Sequence, residues 1–185
     1  MIPEILKDAD HKMNGAVEHA REEFAAIRTG RAHPAMFNKL MVDYYGSPTP
    51  LQQLATFQVP EARTVLISPF DRGAMPAIEK AIRDSDLGVN PANDGNVIRL
   101  VMPQLTEERR KEYIKVTRHK AEEARVAVRN VRRHAIEAVK KLVKDKEVSE
   151  DDARSADKQL DAVTKKYVEL VDELLKAKEA ELLEV

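Results

Sequence analysis

The chain has 185 residues, 31 Lys and Arg against 32 Asp and Glu, and a formal charge of −1. With 43% apolar residues it can build the core of one or two domains and is not a disordered chain. The absence of cysteine excludes disulfides, thiol nucleophiles, Cys-ligated zinc and iron–sulfur clusters. No apolar run approaches the roughly 20 residues of a membrane span. The first thirty residues carry six acids and four Lys or Arg, unlike a secretory or transit peptide. The composition therefore predicts a soluble, intracellular, cytoplasmic protein with no metal, no cofactor and no membrane contact.

In chain order, the first predicted element is a helix from Pro3 to Arg28. Pro3 suits the first turn, where its missing N–H costs nothing. An apolar stripe of Ile2, Leu6, Ala9, Met13, Ala16, Ala20, Phe24 and Ile27 steps by threes and fours. Thr29-Gly30 ends it, with Gly30 read as a C-cap or as a pivot between Arg28 and Arg31. Residues 31–105 hold all but three of the Pro and Gly residues. Strand-like runs there are Asn38–Tyr45, Leu51–Val59, Thr64–Phe70 and Asn96–Met102, with one helix at Ala74–Ser85. Tyr44 and Tyr45, neighbours on the first run, should point to opposite faces. The second long helix starts at the N-cap Thr106, with Glu107 and Glu108 in its first turn. Its seam is Ile114, Thr117, Ala121, Ala124, Val128, Val131, Ala135, Ala138 and Leu142. The third opens with Ser149 and Asp152 as a weak capping box and carries Ala153, Ala156, Leu160, Val163, Tyr167, Leu170, Leu174 and Ala177. A short connection makes these two helices antiparallel. None of the three can bury its seam alone, so residues 1–29 and 106–185 form an elongated three-helix bundle, expected to be monomeric. The insertion, 31–105, is a small β/α/β domain of an α+β fold. It leaves and re-enters at one end, which places a two-strand hinge at Thr29, Gly30 and Arg31 and at Pro103, Gln104 and Leu105.

The near-zero net charge hides a segregation: residues 107–147 carry +6 and residues 148–185 carry −5. On the second long helix, Lys111, Lys115, Arg118, Arg125, Arg129, Arg132, Arg133 and Lys140 share a sector of roughly 100°, away from the seam. Arginine in its middle favours bidentate phosphate contact. Acids are nearly absent at i±3 and i±4 within the sector, whereas a salt-bridged structural face would interleave signs. With eight aromatics, mostly placed to fill cores, recognition of RNA would rest on shape and phosphates rather than base stacking. The competing reading is a coiled-coil-like protein-interaction adaptor whose basic face is merely solvated.

Catalytic readings find no residues. The six glycines form neither GxxxxGK[ST] nor GxGxxG, the histidines at 11, 19, 33, 119 and 134 lack metal-ligand spacing, and Asn93-Asp94-Gly95 lacks the ligand series of a calcium loop.

Several segments, in order from residue 27 to 133, resemble the ribosome recycling factor family. They are Ile27–Pro34, Asp43–Gly46, Ser85–Pro91, Asn93–Gly95, Gln104–Lys111 and Ala127–Arg133, and the ending Lys178–Leu182 fits as well. His33 stands where the family pattern has Ser or Asn. The resemblance implies an L-shaped molecule, roughly that of a transfer RNA, with a hinged second domain. It implies binding between ribosomal subunits after termination, with the bundle against large-subunit ribosomal RNA. Elongation factor G, using GTP, then drives the factor so that the ribosome splits, while the factor itself hydrolyses nothing. By motif, the RNA contacts fall on Arg129, Arg132 and Arg133, with Arg110, Arg28 and Arg31 following. Arg118 and Arg125 join them from the sector.

Overall fold

The computed structural model describes residues 1–184, and two compact units divide the chain. Unit 1 comprises Met1–Phe24 and Ile114–Ala180, and unit 2 comprises Ala25–Tyr113 with the segment from Glu181. The long helices are α1 (Ile2–Ala26), α3 (Glu107–Lys144) and α4 (Glu150–Leu183), and a short α2 spans Met75–Arg83. Both expected hinge segments, 29–31 and 103–105, lie within unit 2 and carry neither helix nor strand.

Unit 1 is a three-helix bundle. Ala9 of α1, Ala135 of α3 and Leu160 of α4 meet in one buried cluster, where small residues let the helix axes approach closely. Polar ties join every pair of helices: Tyr167 to Asp10 at 2.9 Å, Lys120 to Glu23 at 2.5 Å, and Arg125 to Asp172 at 2.7 Å. The Lys120 ammonium, donating to Glu23, holds that carboxyl below its ordinary range despite the opposing effect of burial, and His19 adds to the pull. The seams drift from the expected positions. Val17 is buried rather than Ala16, Val139 rather than Ala138, and Val171 rather than Leu170, while Ala177 is exposed and Lys178 buried. An α-helix turns every 3.6 residues, so a strict 3-4-3-4 stripe rotates off the buried face over several turns.

Helix ends follow local chemistry. Thr106 Oγ1 accepts from the Arg109 N–H at 3.1 Å, and Ser149 Oγ accepts from the Asp152 N–H at 3.0 Å. At the end of α3, Glu147 N–H donates to Leu142 O and Lys146 N–H to Val143 O, a Schellman closure with Lys146 at φ 58 where glycine is usual. That closure turns the chain into α4 within a few residues. α1 stops at Ala26, two residues short of the expected Arg28, and Gly30 is not among the residues with positive φ. Gly30 therefore does not act as a left-handed C-cap.

Tyr167 is 4% exposed and its hydroxyl is the link from α4 to α1. Replacing it with Phe removes a hydrogen bond to a carboxylate and is expected to lower stability by about 1–2 kcal/mol. A urea titration should show a lower midpoint at unchanged slope, and an unchanged midpoint would mean that water fully replaces the hydroxyl.

Unit 2 has six strands where the sequence pattern predicts four. β1 (Met41–Tyr44) and β2 (Ser47–Pro50) form a separate two-stranded sheet, and β3 (Ala55–Glu61), β4 (Thr64–Pro69), β6 (Ile98–Val101) and β5 (Ala92–Asn93) form an antiparallel sheet in that order. The two prolines of β2 argue against a ladder, and an edge position in a two-stranded sheet tolerates them. In the larger sheet Val65 pairs with Leu100 and Ile67 with Ile98, which turns one apolar face toward Ile78 and Ile82 of α2. Phe37 and Phe57 stack at 5.4 Å beside them.

Tyr44 and Tyr45 do not alternate across a strand. Tyr45 (φ 50) and Gly46 (φ 83) are the two central residues of the β1–β2 hairpin, a turn whose positive φ values match the twist of the strands. Leaving the strand, Tyr45 brings its hydroxyl to the same Asp71 Oδ2 that Tyr44 binds, at 3.3 and 2.9 Å. The Gly73 N–H, then the Tyr44 hydroxyl, hold the Asp71 carboxyl below its usual range.

Candidate nucleic-acid interface

α3 runs 38 residues without Gly or Pro, so side chains seven apart stay on one face along its length. The sector of basic residues forms as expected. Its lack of partners does not hold: acids of α4 pair with it, and so do Glu107 and Glu122 of α3 itself. Arg118 Nε donates to Glu179 Oε1 at 2.6 Å, Arg125 Nη2 to Asp172 Oδ1 at 2.7 Å, and Arg132 Nη2 to Asp161 Oδ1 at 2.6 Å. The arginines ascend in heptads while their partners descend, as antiparallel helices require. The +6 and −5 segments joined as an antiparallel hairpin carry the α4 pairs, whereas Glu107 and Glu122 lie three or four residues from Lys111 and Arg125, the bases they meet.

The pairs divide the sector. The side chain of Arg125 is only 19% exposed and is held on both sides, by Asp172 through Nε and Nη2 and by Glu122 through Nη1 at 3.1 Å. Burial works against its charge, and the two carboxylates outweigh it, so the guanidinium is held more firmly protonated than usual. All three of its nitrogens are engaged by these carboxylates, which leaves two of its five N–H groups and little exposed surface for an outside acceptor. Arg132 is different: Nε and Nη2 both go to Asp161 Oδ1, at 2.8 and 2.6 Å, and its side chain is 39% exposed. Arg129 is exposed, with a long 3.6 Å contact to Glu122, and Arg133 is exposed with no ion pair among the described residues. Lys111 pairs one turn back with Glu107 at 3.5 Å.

The other expected contact residues lie in unit 2. Arg28 is half-buried, and its Nη1 and Nη2 donate to the carbonyls of Leu87 and Pro103 at 3.1 and 3.2 Å. It ties backbone segments together rather than facing outward. Arg31 is exposed and pairs with Glu184 at 2.8 Å. Arg110 lines a cavity of about 380 Å³ with Gly30, Arg31, Arg63, Leu105 and Glu184, and its Nε is buried without a partner. Thr29 is buried, with its hydroxyl bonded to both the N–H and the carbonyl of Arg31. His33 caps the short helical turn that follows it: its Nδ1 accepts from the Ala35 N–H at 3.0 Å.

Among the described residues, no group of three or more His, Asp or Glu is arranged to hold a metal ion, and no helix is long and apolar enough to cross a membrane. His19 and His119 each sit beside a glutamate one turn on, at 2.7 and 2.8 Å.

Residues 20–183 match the family model described as Ribosome recycling factor. A ribosome-recycling factor of Cutibacterium acnes is 71% identical over 184 residues, covering the whole of both chains. Another, from Kocuria rhizophila, is 66% identical over 183 residues and 99% of each chain. Among solved structures, the solution structure of a ribosome recycling factor aligns with TM-score 0.79 and 44% identity, over all of this chain and 98% of the other. A second, with TM-score 0.71, 42% identity and full coverage of both chains, comes from models for the T. thermophilus ribosome recycling factor and the E. coli elongation factor G bound to the E. coli post-termination complex.

Proposed function

This chain belongs to the ribosome recycling factor family, and on that premise we propose that it acts with elongation factor G and GTP to take apart the post-termination ribosome, freeing the subunits for reuse. Its own part is mechanical, with no bond made or broken by its side chains. Arg129, Arg132 and Arg133 on α3 grip large-subunit ribosomal RNA through phosphates, and Thr29–Arg31 with Pro103–Leu105 serve as the joint at which the inserted domain moves. Arg125, with both sides of its fork taken, belongs to the bundle's own cohesion.

One observation carries the reading: Arg129 and Arg133 stand one turn apart and exposed, with a half-engaged Arg132 between them. Three guanidiniums on a rigid rod suit the phosphates of a folded RNA, whose bases are not open to reading. The relative bound with elongation factor G to a post-termination complex supports the same partners.

Polysome breakdown with this protein as the only added recycling factor is expected to need both elongation factor G and GTP. Phosphate contacts release counterions, so three of them predict roughly a 40-fold loss of subunit affinity between 50 and 200 mM salt. Affinity indifferent to salt would instead favour the adaptor reading.

A further inference from the structure

The guanidinium of Arg132 is engaged on one side only. Its Nε and Nη2 both reach a single oxygen of Asp161, at 2.8 and 2.6 Å, and among the described residues Nη1 has no partner. An arginine fork has two usable edges, one formed by Nε with Nη2 and one by Nη1 with Nη2. Asp161 occupies the first and leaves the second for another acceptor. Arg125 shows the contrast, since Glu122 takes the Nη1 side that Arg132 leaves open. The neighbours of Arg132 in the sector, Arg129 and Arg133, have no partner on α4 to hold them.

We infer that Asp161 is a positioning residue for RNA phosphate: by holding the inner edge of Arg132 it sets the outer edge toward an incoming phosphate oxygen. This rests on the proposed RNA contact and adds to it a carboxylate on a different helix. Two effects of Asp161 oppose each other. Fixing a rotamer-rich side chain before binding strengthens affinity by about two- to tenfold per side chain. Repulsion between an exposed carboxylate and a phosphate across a guanidinium, about 6–7 Å away in screened water, weakens it by only about 1.5- to twofold. Orientation wins at physiological salt. The local charge of the site is then not maximal by construction, because one negative group is kept where its geometry is useful.

The test compares Asp161→Ala with Asp161→Asn by equilibrium binding of the labelled full-length protein to purified large ribosomal subunits. The amide oxygen of Asn still accepts from Nε, whereas Ala accepts nothing. D161A is expected to bind about fivefold more weakly than the parent and D161N within about twofold of it. Both variants should melt with the parent, because Asp161 is exposed and a surface pair contributes little to stability. A D161A protein that binds as tightly as the parent, or more tightly, overturns the assignment, and so does an equal loss in both variants. Arg132→Glu measured in the same assay separates the two claims. If it too leaves binding unchanged, the RNA-contact reading itself falls. If it weakens binding while D161A does not, only the role of Asp161 falls.

Discussion

Reversing Arg132 to Glu is expected to reduce affinity for large ribosomal subunits by about 10- to 100-fold, the loss of one charge-assisted contact plus the repulsion of a misplaced carboxylate. Polysome breakdown at limiting protein should fall with it. The matched control is Arg154→Glu, which changes net charge equally. Arg154 is exposed on α4, paired among the described residues only within its own helix, to Glu150 and Asp151, and its reversal should leave affinity within about twofold at physiological salt. Equal losses from the two variants would mean that total charge, rather than the α3 ridge, governs binding. A carboxylate in place of the Arg132 guanidinium would face Asp161 across the bundle surface, so a second variant guards against misfolding. Arg133→Glu breaks no ion pair among the described residues, and it should weaken binding in the same direction with an unchanged melting temperature.

Ile78→Ala is expected to destabilise unit 2 by about 3 kcal/mol, within the roughly 2–5 kcal/mol range for a buried Ile-to-Ala truncation. Ile78 is fully buried on α2 beneath the sheet, in a cluster with Val65, Ile67, Ile82, Ile98 and Leu100. Hydrogen exchange should show lost protection across β3, β4 and β6, while α3 from Ala121 to Val139 keeps the protection of the parent. That contrast follows from two separate cores, one between the long helices, where Ala9 and Ala135 meet Leu160, and one of mostly branched residues between a sheet and α2. Loss of protection in both places would show a single cooperative unit and contradict an inserted domain.

Local rules make much of the molecule readable from the chain alone. The Thr106 cap, the Pro3 start, the uninterrupted α3 and the turn at Asn93-Asp94-Gly95 depend only on near neighbours, and each forms as its residues suggest. The same locality explains the misses. Tyr45 reads as a strand residue by alternation, yet the hairpin closes only if it enters the left-handed region, and its hydroxyl then reaches Asp71, 26 residues on. Ala177 fits the stripe and is exposed, because one residue per turn is too coarse a ruler over the 34 residues of α4.

The charge segregation, the three amphipathic helices, the inserted strand-rich segment and the family motifs were all determined by the order of residues alone, since each is a periodicity or a composition along the chain. Which edge of each arginine is held from α4 was decided only by tertiary structure. Arg125 and Arg132 are the same residue type in the same sector, seven apart; within α3 Glu122, three residues before Arg125, distinguishes them, and the carboxylate on the Nε edge of each comes from α4. Asp172 across the hairpin and Glu122 on α3 itself close around the first, while Asp161 meets the second on one edge. A guanidinium's capacity to bind a phosphate depends on how many of its donors are already taken, and here α4 carboxylates 29 to 47 residues away take the Nε edge of each, while Glu122, three residues before Arg125, takes a further donor of that arginine alone.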